Sequence, residues 1–462
     1  MNTTYLVAMA IAAIALLLLL VMRFKWPAYV ALLTISLATG LAAGLPIDRV
    51  IPTVIEGMGS TLGSVALLVG LGAMLGGIIE KTGGAAVLAT AAARLLGPKR
   101  LGPALMIASG LVAIPIFFDV AYIILVPIIF GFARAAGHRS PVILGAPVAA
   151  TMVFIHNTVP PHPGVTGSAT LLREDVLGLV TLLGILLAIP VGIVVYLVSR
   201  RLTGSDFELD RTTRARYEQT GATDLSQQAA HEPDGRQHRT PNAGLVLATI
   251  LLPIVMIATG TIGKILLPEG SMPYRVTGFV GAPGFALIVA TVLAMLVLGL
   301  VHGWSKEELG DLMNAALGPA AVVVFVTGAG GVFAKVLTAS GIGDAVSSIL
   351  VSAGVPILLL AFLLALVFKV AQGSGTVATL AAAGLVQSTV EQGGFSDLQV
   401  ALIVLAIGMG SVSLSHINDS GFWIASRFLG LDVADGLRTW TVLCTVAGFL
   451  GMAIIAMVWL II

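Results

Sequence analysis

Charge is what this chain has least of. Asp, Glu, Lys and Arg together make up 10% of its 462 residues, against about 25% in a soluble domain. Cysteine is scarcer still. Cys444 stands alone, which excludes an intrachain disulfide and any cysteine-built metal site; it reads as a small apolar packing residue. The sequence also lacks G-x-S-x-G, H-E-x-x-H and G-x-x-x-x-G-K-[ST], so the commonest hydrolase, zinc-protease and nucleotide signatures are missing. The stretch "QGSGT" has no Lys after its glycines and lies in an apolar run, so it is not expected to cradle phosphate. An enzyme, a cofactor or ATP-driven transport by this chain alone is not expected. No basic residue precedes the first apolar run, whereas Arg23 and Lys25 follow it. A cleaved signal peptide has the reverse order, so 4–22 reads as a retained span with the N-terminus outside.

What the chain has in quantity is apolar sequence. It is 57% hydrophobic, with a mean hydropathy of +1.03. Apolar runs recur roughly every 20–30 residues, the signature of an all-α polytopic membrane protein. Its 54 glycines suit helices packed closely in lipid. One segment, 200–242, is polar and has no periodic apolar face. It reads as a flexible cytoplasmic linker. Its seven Arg are matched by seven Asp or Glu, so no nucleic-acid partner is expected.

The linker divides the chain into 1–199 and 243–462, and the two parts resemble each other. Gly72 recurs as Gly330, Thr82 as Ser340 and Gly83 as Gly341, and further on His156 recurs near His416 and Asn157 near Asn418. In the first part, spans are expected at 4–22, 26–45 and 61–79. Residues 101–133 would make a helix of about 50 Å, too long for a hydrocarbon core of about 30 Å. Pro115 and Pro127 interrupt them, and both ends are basic (Lys99 and Arg100; Arg134 and Arg139). A re-entrant hairpin with its tip near Phe117–Val120 satisfies length, prolines and charge together. A span at 141–172 is broken at "HNTVPPHPG", and 175–198 returns to the linker. The second part repeats the plan: 243–266, 279–301, 319–338, a hairpin at 353–391, a broken span at 398–426 and a last span at 440–461. Both termini then lie outside, most Lys and Arg fall on the cytoplasmic side, and the repeats are inverted. Inverted repeats with broken helices are a construction of secondary transporters, with the site near the membrane midplane.

The residues able to do chemistry gather at the expected breaks. The first hairpin tip carries Asp119 in "FFDVA"; the second carries Lys369, Gln372, Gly373, Ser374 and Thr376 in "KVAQGSGTVAT". The first broken helix offers His156, Asn157, Thr158 and His162, and the second Ser413, Ser415, His416, Asn418, Asp419 and Ser420. Backbone groups freed at such breaks need polar partners, and half-helix N-termini favour a carboxylate. Lys369 reads as a counter-charge for an anionic substrate, or as one half of an ion pair. The amides, hydroxyls and histidines read as partners for substrate hydroxyls or as caps on helix ends. Asp119, in an apolar frame, is the first choice for a proton-coupling group, or else a structural carboxylate capping a half-helix; His156, His416 and Asp419 are the other candidates for the proton. Glu80, Lys81, Lys264 and Lys335 sit near span ends and read as interfacial.

With "IPIFFDVAYIILVPI", "HNTVPPHPG", "AQGSGTVAT", "SHINDSGFW" and, in support, "GLGAMLGGIIEKTGGA", the sequence resembles the gluconate permease (GntP-type) family of proton symporters, which also includes idonate and D-serine permeases. The resemblance spans essentially the whole chain. It implies import of a small anionic hydroxy acid with protons across the bacterial inner membrane. It also implies an elevator-type transporter whose scaffold forms a homodimer. A D-serine permease or a sodium-coupled carboxylate carrier is the alternative within transporters; a channel or an intramembrane enzyme is the alternative outside them.

Overall fold

The computed structural model describes residues 2–97, 100–203, 207–219, 239–343, 345, 356–417 and 419–462. Every regular element among them is a helix. In the first part, α1 (Thr3–Met22) and α2 (Ala28–Ala42) lead into α3 (Ile47–Lys81), followed by α4 (Gly84–Leu96), α5 (Leu101–Ala113), α6 (Phe118–Ala135), α7 (Val142–Thr158), α8 (Pro163–Arg173) and α9 (Leu177–Leu202). A short α10 (Arg211–Gln219) follows. Then come α11 (Ala243–Leu266), α12 (Met272–Val280), α13 (Pro283–His302) and α14 (Lys306–Ala339), and, past residues outside the described set, α15 (Ile357–Gln372), α16 (Gly375–Gln392), α17 (Asp397–Val412), α18 (Ser420–Phe428) and α19 (Val433–Ile461).

Among the described residues, five apolar runs are long enough to cross a membrane: Ile47–Lys81, Val142–Leu202, Ala243–Lys264, Pro283–His302 and Val433–Ile461. The second is three helices, α7 to α9. The outward face of α9 carries Leu186, Ile189, Ile193 and Leu197, each more than half exposed. An apolar stripe turned outward on a helix of this kind suits lipid.

The expected hairpins are helix pairs. Ile114–Phe117 separate α5 from α6, which pack on each other, and Gly373–Ser374 separate α15 from α16, which do likewise. Gly373 takes φ +82°, a conformation that favours glycine and stops α15. Both broken spans are broken as expected. Val159–His162 part α7 from α8, and Ser413–Asp419 part α17 from α18. New helices start where the sequence supplies caps: Ser374 accepts from Val377 N (3.4 Å), Asp419 from Gly421 N (2.9 Å), and Pro163 sits in the first turn of α8.

The helices α3 and α14 begin well before the expected 61 and 319. A first turn holding Asp48 begins α3 after Pro46, and the Ser305–Glu308 capping box begins α14. At 35 and 34 residues each is about 50 Å long. They pack against each other along much of that length. Gly57 permits the contact, since a Cβ there would come within 2.9 Å of Gly331 O. Lys335 Nζ meets Glu56 Oε1 at 2.5 Å beside this seam.

Residues 207–219, inside the 200–242 segment, depart from the expectation of a flexible linker. The helix α9 runs on to Leu202, and residues 207–219 dock on the protein. Leu209 and Tyr217 are buried, Arg134 Nη1 donates to Tyr217 O (2.8 Å), Tyr217 Oη donates to His138 O (2.7 Å), and Asp210 N donates to Gly430 O (3.0 Å). Two large side chains suffice to seat one short helix, which is too little periodicity to read from sequence.

Candidate functional site

All four chain breaks meet at one cleft of about 540 Å³, within the usual range of ligand sites. The first break supplies Pro115, Ile116 and Phe117; the ends of α7 and α8 supply His156, Asn157 and His162. The α15–α16 break supplies Gly373–Thr376, the start of α18 supplies Asp419–Gly421, and Glu80 comes from the last turn of α3. The first residues of α6, α16 and α18 therefore line one space. The N–H groups of a helix's first turn lack intrahelical acceptors and carry partial positive charge. Several such ends around one cleft favour an anion.

The cleft also holds a buried ion pair. Lys369 Nζ lies 2.5 Å from Asp419 Oδ2, with the two side chains 4% and 8% exposed. Lys369 also donates to Gly373 O at 2.8 Å. Asp419 Oδ1 accepts from Gly421 N, and Ser415 Oγ donates to Asp419 Oδ2. Trp440 Nε1 donates to Ser415 Oγ at 2.7 Å, and Thr441 Oγ1 to Ser415 O at 2.6 Å. Trp440 and Thr441 belong to a π turn in α19, Leu437–Thr441; turns of this kind re-aim side chains within a helix.

On another wall His156 and His162 meet with ring centroids 4.5 Å apart and their planes tilted by 54°. His156 Nε2 is tied to Ile116 O at 2.8 Å. The Nδ1 atoms of both rings are buried and have no hydrogen-bond partner in the protein. Buried polar atoms are nearly always satisfied, so this wall is suited to a polar ligand. Asn157 holds the two broken helices together: its Nδ2 donates to Val153 O, and Ser411 Oγ donates to its Oδ1, both at 2.8 Å.

The model of the GntP family permeases matches residues 4–462. The chain belongs to the GntP permease family. The permease is 44% identical to the inner membrane permease YgbN of Escherichia coli (strain K12) over the whole of both chains. It is 36% identical to the low-affinity gluconate transporter of the same organism, over 99% of each. Identity to the gluconate permease of Pseudomonas aeruginosa is 33%, over 98% of this chain and 97% of that one. Among solved structures, the YdaH transporter of Alcanivorax borkumensis superimposes with a TM-score of 0.61 at 15% identity, covering 94% of this chain and 99% of that one; the permease shares its fold. It is a multi-pass membrane protein and a transporter, not an enzyme.

Of the residues picked out from the sequence, the permease brings Lys369, Gly373, Ser374, Thr376, His156, Asn157 and Asp419 to the cleft. Ser415 stands behind it, oriented on Asp419. Thr158 turns away, its Oγ1 bonded to Phe154 O at 2.8 Å. His416 does not line the cleft; its carbonyl accepts from Asp419 N at 2.8 Å. Asn418 lies outside the described residues, as do the side chains of Asp119 and Gln372; the backbone of Asp119 falls in the first turn of α6. Lys369 is not a lone counter-charge but half of a pair. Glu80, read as interfacial, lines the cleft, whereas Lys264 and Lys335 are partly exposed and paired with Asp175 and Glu56. His162, one of the polar residues picked out at the first break, also lines the cleft. Nothing in the sequence points to Trp440, because it acts from a distant helix.

A second cleft, about 660 Å³, opens beside Glu174, Asp175 and Lys264. No chain break feeds it, and Lys264 is engaged with Asp175 at 3.3 Å.

Proposed function

We propose that the permease imports gluconate or a closely related sugar acid by proton symport across the bacterial inner membrane. The observation that carries the reading is a cleft that places a lysine and several helix N-termini together with an unsatisfied histidine wall. The substrate carboxylate is taken by Lys369 and the starts of α16 and α18; its hydroxyls face His156, His162 and Asn157. The names of the relatives at 33–44% identity, gluconate transporters and an inner membrane permease, point the same way. The proton is carried by an acidic or histidine group at the breaks: Asp119, His156, His416 or Asp419.

The element order supports two repeats, 1–199 and 243–462, joined by 200–242. Each has a long helix (α3, α14), then a hairpin pair (α5–α6, α15–α16), a broken pair (α7–α8, α17–α18) and a final long helix (α9, α19). In this reading the repeats are inverted, both termini are outside, and the hairpins and broken helices move together as an elevator against a scaffold that dimerises.

The test is uptake by proteoliposomes of labelled gluconate, other sugar acids and D-serine, under separate proton and sodium gradients. Gluconate or another sugar acid should accumulate when the lumen is alkaline and show no response to sodium. Accumulation driven by sodium alone, or of D-serine alone, would overturn the reading.

A further inference from the structure

Lys369 and Asp419 are both nearly inaccessible, 2.5 Å apart, and line the cleft. As a pair they carry no net charge. The other titratable groups around them are Glu80 from α3, His156 from α7, His162 before α8 and Cys444 from α19, of which the first three line the same cleft.

We infer that this ion pair is the coupling unit: the substrate carboxylate takes Lys369 from Asp419, and the released Asp419 takes the co-transported proton. The inference rests on the reading of the permease as a proton-driven carrier of an organic anion. Its force comes from counting charge in the four states of the cleft. Empty, the pair is neutral. With substrate alone, one negative charge is in excess; with a proton alone, one positive. With both, Lys369 is matched by the substrate, Asp419 is a neutral acid, and the cleft is neutral again. Moving an unpaired charge through a low-dielectric interior is costly, so only the empty and the fully loaded forms cross readily. That is obligatory symport. A lone carboxylate would do worse, because the empty carrier, which must return on each cycle, would carry a charge.

The atoms are placed for the exchange. Lys369 Nζ is also held by Gly373 O, so it stays at the α15–α16 break while changing carboxylates. Asp419 Oδ1 keeps the Gly421 N–H in either state. Oδ2 is the oxygen that loses the ammonium, and the new O–H bond forms there, the proton coming from hydronium in the cleft and leaving water behind. An indole N–H can only donate, so Trp440 occupies an acceptor site on Ser415 and leaves the serine hydrogen for Asp419. This fixes the carboxylate while its partner changes.

The experiment uses the full chain in proteoliposomes, with labelled gluconate or the sugar acid it prefers. For a monoanion moving with one proton, wild type should concentrate substrate about tenfold per unit of pH gradient. A membrane potential set by potassium and valinomycin at equal pH should give no accumulation. Asp419→Asn leaves Lys369 unpaired in the empty form only. It should lose pH-driven accumulation yet still exchange labelled for unlabelled substrate in counterflow. Accumulation driven by potential in wild type, or pH-driven concentration retained by Asp419→Asn, would overturn the inference. The wild-type measurement decides even if the variant does not fold. Failure of wild type to carry any sugar acid would instead overturn the functional reading beneath it.

Discussion

Ser411 and Asn157 lie 254 residues apart in the chain and 2.8 Å apart in the fold. This one contact joins α17 to α7 just where both helices are about to break. Asn157 is thereby fixed with its oxygen toward Ser411 and its nitrogen toward Val153 O. Asn157→Ala removes the contact but leaves Ser411 Oγ its bond to Gly408 O at 2.8 Å, so a cost of about 1 kcal/mol is expected, read as a lowered melting temperature in detergent.

Ser415 is the second joint of this kind. Ser415→Ala strands the buried Trp440 N–H and removes a donor from Asp419. A loss of about 1–3 kcal/mol follows, together with weaker coupling of uptake to the pH gradient. Trp440→Phe, which removes the donor and leaves the serine hydroxyl free to rotate, should cost less. Comparing the two melting temperatures checks the order.

Glycine substitutions should divide sharply by position. A methyl group at Gly408 would collide with the carbonyl oxygen of Asn157, and one at Gly76 with that of Pro115. Neither carbonyl can move without shifting a helix break. Gly408→Ala and Gly76→Ala should give little folded, active protein. Gly59→Ala, which has open space around it, should be neutral or stabilising by up to about 1 kcal/mol. Yield of monodisperse protein and uptake rate read the difference.

Much of this site was legible in the sequence because breaking a membrane helix takes visible residues. Prolines or a glycine inside apolar runs marked three of the breaks and a run of polar residues the fourth, and Lys369, His156, Asn157 and Asp419 stood out as polar groups beside them. Pairings were not legible. Nothing in the sequence says that Lys369 reaches Asp419, fifty residues on, since hairpin geometry decides it. Glu80 read as interfacial because it ends a span; the last turn of that 35-residue helix instead reaches the cleft. The helix α10 was invisible because its stability is tertiary, resting on Tyr217 against Phe130, Arg134 and His138.

That docking is itself testable. Tyr217→Ala should release α10 and speed tryptic cleavage around Arg211 and Arg214 at least tenfold, with Tyr217→Phe intermediate. Burial raises the Tyr217 phenol above its ordinary value of 10.0, outweighing the opposing effect of Arg134. The folded form thus holds this proton more tightly than the unfolded one. The contribution is complete below pH 10 and fades as pH rises through the folded value. Protection from trypsin should therefore be flat from pH 7 to 9.

Asp119 provides a control on the coupling scheme. If charge exchange between Lys369 and Asp419 carries the proton, Asp119→Asn should still concentrate substrate when driven by a pH gradient, even if more slowly. Complete loss of accumulation with intact counterflow would move the proton site to the start of α6.

The convergence of the breaks also makes the site a joint possession. His156, Asn157 and His162 come from before α10, and Lys369, Ser374 and Asp419 from after it. Severed between 220 and 238, the chain would yield two fragments, each with half a binding surface and neither able to select a substrate. Produced together, they could recover function only by finding each other in the bilayer. A chain whose two parts share one cleft in this way can part with neither.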